Sequence, residues 1–197
     1  MTPLREITTE RLLLRAPRPE DAEAVFARYA SDPEVTRYVG FPRHRSVQDA
    51  QAFIQLALAE WADGNPMAYL AFSRENGRLV GGTGISVETP ERASTGYVLA
   101  RDAWGRGLAT EMVLAMVDAA FDDPRLWRLY AMCHVDHAAS ERVLAKAGFA
   151  REATLRRYMV FPNLETIEPQ DVAVWARVRE PVARRPGACR PGGTDAK

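Results

Sequence analysis

Apolar positions along the chain change their spacing, and each change marks an element. Residues 11–15, RLLLR, read as a strand. Pro19 suits a first helical turn, and Glu20 and Asp21 complement the positive end of its dipole. Ala22, Val25, Phe26 and Tyr29 then fall on one helical face. Ser46-Val47-Gln48-Asp49 has the form of a capping box with a shorter acid. Ala50, Phe53, Ile54, Ala57, Leu58 and Trp61 follow at helical period, and Gly64 ends the run. This is the strongest amphipathic signal in the chain. Strand patterns follow at residues 67–73, 79–87 and 95–100, with Glu75-Asn76-Gly77-Arg78 as a hairpin turn between the first two. A helix over residues 108–121 buries Leu108, Met112, Ala115, Met116 and Ala119. A strand at 128–133, a short helix at 140–147 closed by Gly148, and strands at 153–160 and 171–178 complete the pattern. The order β-α-α-β-β-β-α-β-α-β-β predicts a mixed α/β (α+β) domain.

The 197 residues suffice for one domain with a proper core, read here as residues 1–180. Residues 181–197, PVARRPGACRPGGTDAK, have almost nothing to bury and read as a disordered tail. The 26 basic residues balance the 26 acidic ones, which removes the electrostatic footprint expected for non-specific nucleic-acid binding. Cys133 and Cys189 lie far apart, and His44, His134 and His137 form no HExxH-type pair. Neither set has metal-ligand spacing, so no metal is expected. The N-terminus lacks a signal-peptide core, and the apolar run at residues 112–121 is too short for a membrane span. A soluble, cytoplasmic protein with no membrane partner is the expectation.

The informative segment is Trp104-Gly105-Arg106-Gly107-Leu108-Ala109-Thr110, where a strand gives way to a glycine-bearing loop and then a helix. Glycines let the backbone approach a ligand closely. The first N–H groups of a helix lack internal partners and sit at its positive end, where a pyrophosphate can bind. Arg106 could add a charge-assisted contact. The segment is not a Walker loop, since no Gly-Lys-Ser/Thr follows, and its spacing fails the GxGxxG dinucleotide pattern. Two glycines before a helix are common, so the loop gains force from its surroundings.

Those surroundings resemble the GNAT N-acetyltransferase superfamily. WGRGLATE at residues 104–111 is similar to the acetyl-CoA loop of its ribosomal-protein N-terminal (RimJ/RimL-like) branch. TERLLLR at 9–15, VGGTGI at 80–85 and SERVLAKAGF at 140–149 resemble further motifs of that branch, in the right order. The resemblance implies the GNAT fold, a mostly antiparallel sheet of about seven strands flanked by about four helices. It implies acetyl-CoA as co-substrate, with strands splaying apart near Tyr97 and Met132 to admit pantetheine. Backbone groups of Val98, Leu99 and Ala100 would pair with the pantetheine arm. The pyrophosphate would rest on the amides of Gly105, Arg106, Gly107, Leu108, Ala109 and Thr110. Trp104 would pack on the coenzyme, or fill core. Lys146 would be a further coenzyme contact.

The sequence departs from the family pattern in two places. His137 stands where the family has Asn; it is either a hydrogen-bond donor to pantetheine or an exposed loop histidine. Leu144 stands where many members carry a catalytic tyrosine, which leaves Ser140 as candidate proton donor to the leaving sulfur. The other reading of Ser140 is a helix N-cap. Glu88, Glu91, Glu165, Glu168 and Tyr158 are weak candidates for the base. Residues 156–164, RRYMVFPNL, would shape the acceptor site. The implied acceptor is a protein N-terminal α-amine, whose reference pKa of about 8 leaves a useful neutral fraction near pH 7. The alternatives are a small amine (antibiotic, polyamine or amino acid) and a non-catalytic acyl-CoA-binding protein. Dimers are frequent in the family, so a homodimer is a further expectation.

Overall fold

The computed structural model describes residues 4–63 and 68–180. Gly64 as a helix stop, Met67 at a strand start, Cys189 and the tail from residue 181 therefore lie outside the described residues. One eight-stranded sheet runs in the order β1-β2-β3-β4-β5-β6-β8-β7. Its strands are β1 (Glu6–Thr8), β2 (Leu12–Arg15), β3 (Tyr69–Ser73), β4 (Leu79–Thr89), β5 (Arg92–Leu99), β6 (Arg128–His134), β7 (Ala150–Met159) and β8 (Gln170–Val178). Every pairing is antiparallel except β5 with β6. The helices are α1 (Ala22–Val25), α2 (Pro33–Thr36), α3 (Val47–Ala62), α4 (Leu108–Phe121) and α5 (Ala138–Lys146).

The sheet has one strand more than expected because β1 carries a single half-buried apolar residue, Ile7, too little for a period-2 signal. The expected first helix is broken into a 3₁₀ turn at Pro19–Asp21, then α1, then a π-turn at Phe26–Ala30. A short extra helix, α2, follows, capped by Asp32, whose carboxylate accepts from Glu34 N and Val35 N. At α3 the Asp49 carboxylate accepts from Ser46 N and Arg45 N, as the shortened capping box implied.

Two apolar clusters cover the sheet. On one face α4 inserts Leu108, Met112, Val113, Met116 and Ala120 against Leu12, Leu14, Ile85, Leu99 and Leu129. Burial of each Leu, Ile, Val or Met is worth about 1.5–3 kcal/mol. On the other face Val25, Tyr29 and Ile54 meet Leu70, Leu79 and Ala100. The paired glycines of β4 reflect a close approach: a Cβ on Gly81 would lie 2.1 Å from Val98 O. The sequence VGGTGI therefore brings β4 tight against β5, the strand that feeds the glycine loop.

Candidate active site

β5 and β6 pair in parallel only at Arg92–Arg128, Ala93–Leu129 and Ser94–Tyr130. Beyond Ser94 they separate, and β6 continues with β8 alone. The gap lies beside Tyr97 and Leu99, where the family resemblance placed it. Ala100 N donates to Val80 O at 2.9 Å, which fixes the ladder phase. Groups of Val98 and Ala100 therefore point to β4, and those of Tyr97 and Leu99 point to the gap. This corrects the expected contacts at Val98 and Ala100. Ala100 is fully buried and its amide is taken, while Val98, packed against the Val25–Leu70 cluster, is among the residues that line the cavity.

After Leu99 the chain makes a 3₁₀ turn at Arg101–Ala103 and enters the glycine loop. Gly105 and Gly107 take φ of +72° and +78°, left-handed values that cost other residues about 1 kcal/mol or more. The N–H groups of residues 105–110 donate to no protein acceptor among the described residues, and the first helical bond of the run is Glu111 N to Gly107 O. These unused donors run into the start of α4, where a helix N-terminus can hold a diphosphate.

The loop is held from the β1–β2 connection, a hundred residues earlier. Arg11 Nη1 donates to Arg106 O at 2.8 Å. The Glu111 carboxylate accepts from Thr9 Oγ1 at 2.6 Å, Arg11 N at 2.8 Å and Arg11 Nε at 2.7 Å. Burial works to raise the Glu111 pKa, but the hydrogen bonds from Thr9 and Arg11 outweigh it and hold the carboxyl below its ordinary range. The motifs TERLLLR and WGRGLATE are thus two halves of one clamp.

A cavity of about 1460 Å³ joins these parts. It is lined by Val98, Leu99, Trp104, Gly105, Gly107, Leu108, Ala109, Thr110, His137, Ser140 and Lys146. Arg106 is not among the lining residues; its guanidinium points to Glu75, 4.0 Å away. The Trp104 indole donates to Leu99 O at 2.9 Å while its ring is 48% exposed, so it walls the cavity rather than filling core. Lys146 is exposed and has no ion pair among the described residues.

α5 begins two residues earlier than expected, with His137 as its N-cap. Ser140 is therefore in the first turn and is not the cap, which removes the alternative reading of its hydroxyl. Its Oγ lies 2.7 Å from Tyr97 Oη, and Tyr97 Oη also donates to Ser140 O at 3.1 Å. Burial pushes the Tyr97 pKa up, against the Ser140 hydrogen bond, so the phenol stays protonated. The neighbouring Cys133 thiol is pushed up to about 11, mainly by burial. His137 is no exposed loop residue: its ring packs on Tyr38 with centroids 5.0 Å apart. Burial, then His134 and Arg142, lower its pKa and favour the neutral ring.

The far lobe of the cavity has an aromatic wall in which Tyr38, Phe41 and Phe53, which the sequence left unassigned to the site, join Phe161. Of the segment at residues 156–164, Met159 and Phe161 reach the cavity. None of Glu88, Glu91, Glu165, Glu168 or Tyr158 lines it. Glu88 bonds the Tyr130 hydroxyl and pairs with Arg92, and Glu168 pairs with Arg157. The carboxylates that do line it are Glu34, Asp49 and Glu60. Asp49 is engaged in capping α3. Glu60 has no hydrogen bond or ion pair among the described residues, and burial raises its pKa.

The family model of the acetyltransferase (GNAT) domain matches residues 11–150. The chain is 33% identical over 181 residues to the Bacillus subtilis (strain 168) protein named uncharacterized N-acetyltransferase YoaA, covering 91% of this chain and 98% of that one. It is 32% identical to uncharacterized N-acetyltransferase p20 of Bacillus licheniformis, over 79% and 88% of the two chains. Among solved structures, a GNAT-family acetyltransferase from Bacillus anthracis superposes with a TM-score of 0.77 at 24% identity, over 88% and 98% of the chains. RimL, the ribosomal L7/L12 alpha-N-protein acetyltransferase in complex with coenzyme A, gives 0.77 at 20% identity, over 88% and 97%. The chain belongs to the GNAT acetyltransferase family. Within it, the protein is an acetyl-CoA-dependent N-acetyltransferase. No helix among the described residues is long and apolar enough to cross a membrane.

Proposed function

We propose that this enzyme acetylates a protein N-terminal α-amine, with Ser140 as proton donor to the leaving sulfur. The observation that carries the coenzyme half is the run of unused amides at residues 105–110, of which Gly105, Gly107, Leu108, Ala109 and Thr110 line the same cavity as Ser140. Those amides hold the diphosphate. Tyr97 and Leu99, on the open edge of β5, hydrogen-bond the pantetheine arm and polarise the acetyl carbonyl. Lys146 adds a cation at the phosphate end. Ser140, buried among Tyr97 and Cys133, meets the thioester sulfur.

The far lobe supports a peptide acceptor over a polycation. A polyamine or aminoglycoside site needs several free carboxylates, and here Asp49 is already engaged while Arg43 and Arg45 share the lining. The aromatic wall suits an uncharged first side chain, and the similar fold of RimL, named for α-N-acetylation of a ribosomal protein, accords with this. An N-terminal amine also needs less help from a base than a lysine, whose reference pKa is about 10.4. The test is mass-spectrometric screening with acetyl-CoA against peptides carrying free N-termini and against polyamines, aminoglycosides and amino acids. Faster turnover of peptides supports the reading, and acetylation of the small amines alone overturns it.

A further inference from the structure

Ser140 does not stand alone in its pocket, and the side chain that engages it comes from a different element. We propose that Tyr97 is a positioning residue for the acid step, holding the Ser140 hydroxyl toward the leaving sulfur and donating to Ser140 Oγ as that hydroxyl gives up its proton. The inference rests on the Ser140 reading given above. It adds a residue from β5 to a site whose acid lies on α5.

The geometry offers Tyr97 two hydrogen-bond states. Oη lies 3.1 Å from Ser140 O and 2.7 Å from Ser140 Oγ. With the phenol proton on Ser140 O, the serine hydroxyl donates back to Tyr97 and its proton faces away from the cavity. With the phenol proton on Oγ, the serine proton is released toward the cavity. Rotation of the two hydroxyls, with no heavy-atom movement, converts one state to the other. The tyrosine packs against the apolar cluster that includes Met112 and Leu129, and its hydroxyl end meets α5 at Ser140.

The chemical step balances as follows. The acceptor nitrogen forms the new C–N bond with its lone pair. The C–S bond breaks and its pair goes to sulfur, which takes the Ser140 proton. The surplus proton on nitrogen passes through solvent and restores Ser140. Tyr97 keeps its own proton throughout and stabilises the serine oxygen while it is short of one. Burial favours that retention, because it disfavours phenolate. The position Leu144, where many relatives carry a tyrosine, is fully buried in this chain and cannot serve. Tyr97 instead brings a phenol to Ser140 from β5.

The experiment uses acetyl-CoA with the amine turned over fastest in the screen above, and compares Ser140→Ala, Tyr97→Phe and the double variant. Ser140→Ala is expected to lower kcat about 100-fold, the usual scale of a lost general acid. Tyr97→Phe is expected to lower kcat about tenfold, the scale of one hydrogen bond to a group gaining charge, with the acetyl-CoA KM unchanged. In the Ser140→Ala background, Tyr97→Phe is expected to change kcat less than twofold, because it acts through the serine. A full tenfold loss in that background, or wild-type kcat for Tyr97→Phe, overturns the inference and leaves the Ser140 reading standing. Wild-type turnover by Ser140→Ala overturns both. If Tyr97→Phe melts below the assay temperature, a fluorinated tyrosine at position 97 keeps the hydroxyl and alters its acidity. A changed kcat at constant acetyl-CoA KM then supports the inference, and an unchanged kcat overturns it.

Discussion

Glu111→Ala tests whether the coenzyme loop is preshaped by the β1–β2 connection. The substitution removes the acceptor of three hydrogen bonds, from Thr9 Oγ1, Arg11 N and Arg11 Nε. Water can partly replace it, since the Arg11 side chain is 46% exposed, so each bond is worth about 1 kcal/mol net and the set about 3. At about 2–4 °C per kcal/mol for a chain of this size, the melting temperature should fall by about 6–12 °C. Freed from Glu111, Arg11 also loosens its hold on Arg106 O, and the loop must then be ordered at the expense of coenzyme binding. If half of the lost 3 kcal/mol reappears as ordering cost, binding weakens by about 1.5 kcal/mol. Removing a carboxylate near a diphosphate works the other way, but unit charges about 8 Å apart in water exchange only about 0.5 kcal/mol. Geometry wins by about 1 kcal/mol, so the coenzyme A Kd should rise about fivefold. Calorimetric titration at two salt concentrations measures it. Glu111→Gln is the control: it keeps an acceptor for Thr9 and loses mainly a part-exposed ion pair, so it should bind within about twofold of the parent. Coenzyme binding by Glu111→Ala that is equal or tighter, at an unchanged melting temperature, would refute the clamp.

Acidification should destabilise the protein in two windows. The His44 and His137 pKa values are lowered, each chiefly by burial, so the unfolded chain binds more protons below pH about 6.5 and stability falls as pH drops through that range. His137→Asn should flatten the first window in melts at pH 5 to 8; an unchanged profile would count against the buried-neutral assignment. Glu111, whose folded pKa is depressed, contributes stability that is complete above its unfolded value near 4.5 and is lost as pH falls through the folded value, which Glu111→Gln should abolish. Glu60→Gln should raise the KM for the amine by about threefold or more and leave that for acetyl-CoA unchanged, since Glu60 lines the cavity and its carboxylate has no partner among the described residues; equal KM values for the amine would remove Glu60 from recognition. Trp104 is half exposed at the coenzyme end, so coenzyme A should quench tryptophan fluorescence, and Trp104→Phe should abolish that response. Persistence of the quench would place the reporting indole elsewhere.

What could be read from the chain, and what could not, follows from the range of each interaction. The helix at Val47–Ala62 and the helix at Leu108–Phe121 are written in local period, and the glycine loop between Trp104 and Leu108 is written in local backbone chemistry. These features depend on residues within a turn or two of one another, so a sequence displays them. β1 was invisible because one apolar residue, Ile7, sets no period, and its place is decided by pairing with β2. The same reason explains the backbone contacts. Which of Val98, Leu99 and Ala100 faces the gap depends on the phase of the ladder with β4, and that phase is set by Ala100 N meeting Val80 O, twenty residues away. Ser140 shows the strongest dependence on distant structure. Its residue type fits a helix cap as well as an acid; the start of α5 at Ala138 makes His137 the cap, and Tyr97 arrives at the Ser140 hydroxyl from 43 residues upstream. The missing tyrosine at Leu144 made the site look deficient when read along α5 alone. Across the fold a phenol is present, supplied by the strand that parts from β6, so the splay proposed to admit pantetheine also brings a hydroxyl to the proposed acid. A chain that kept the loop and Ser140 but lost Tyr97 would therefore bind coenzyme normally and turn it over slowly.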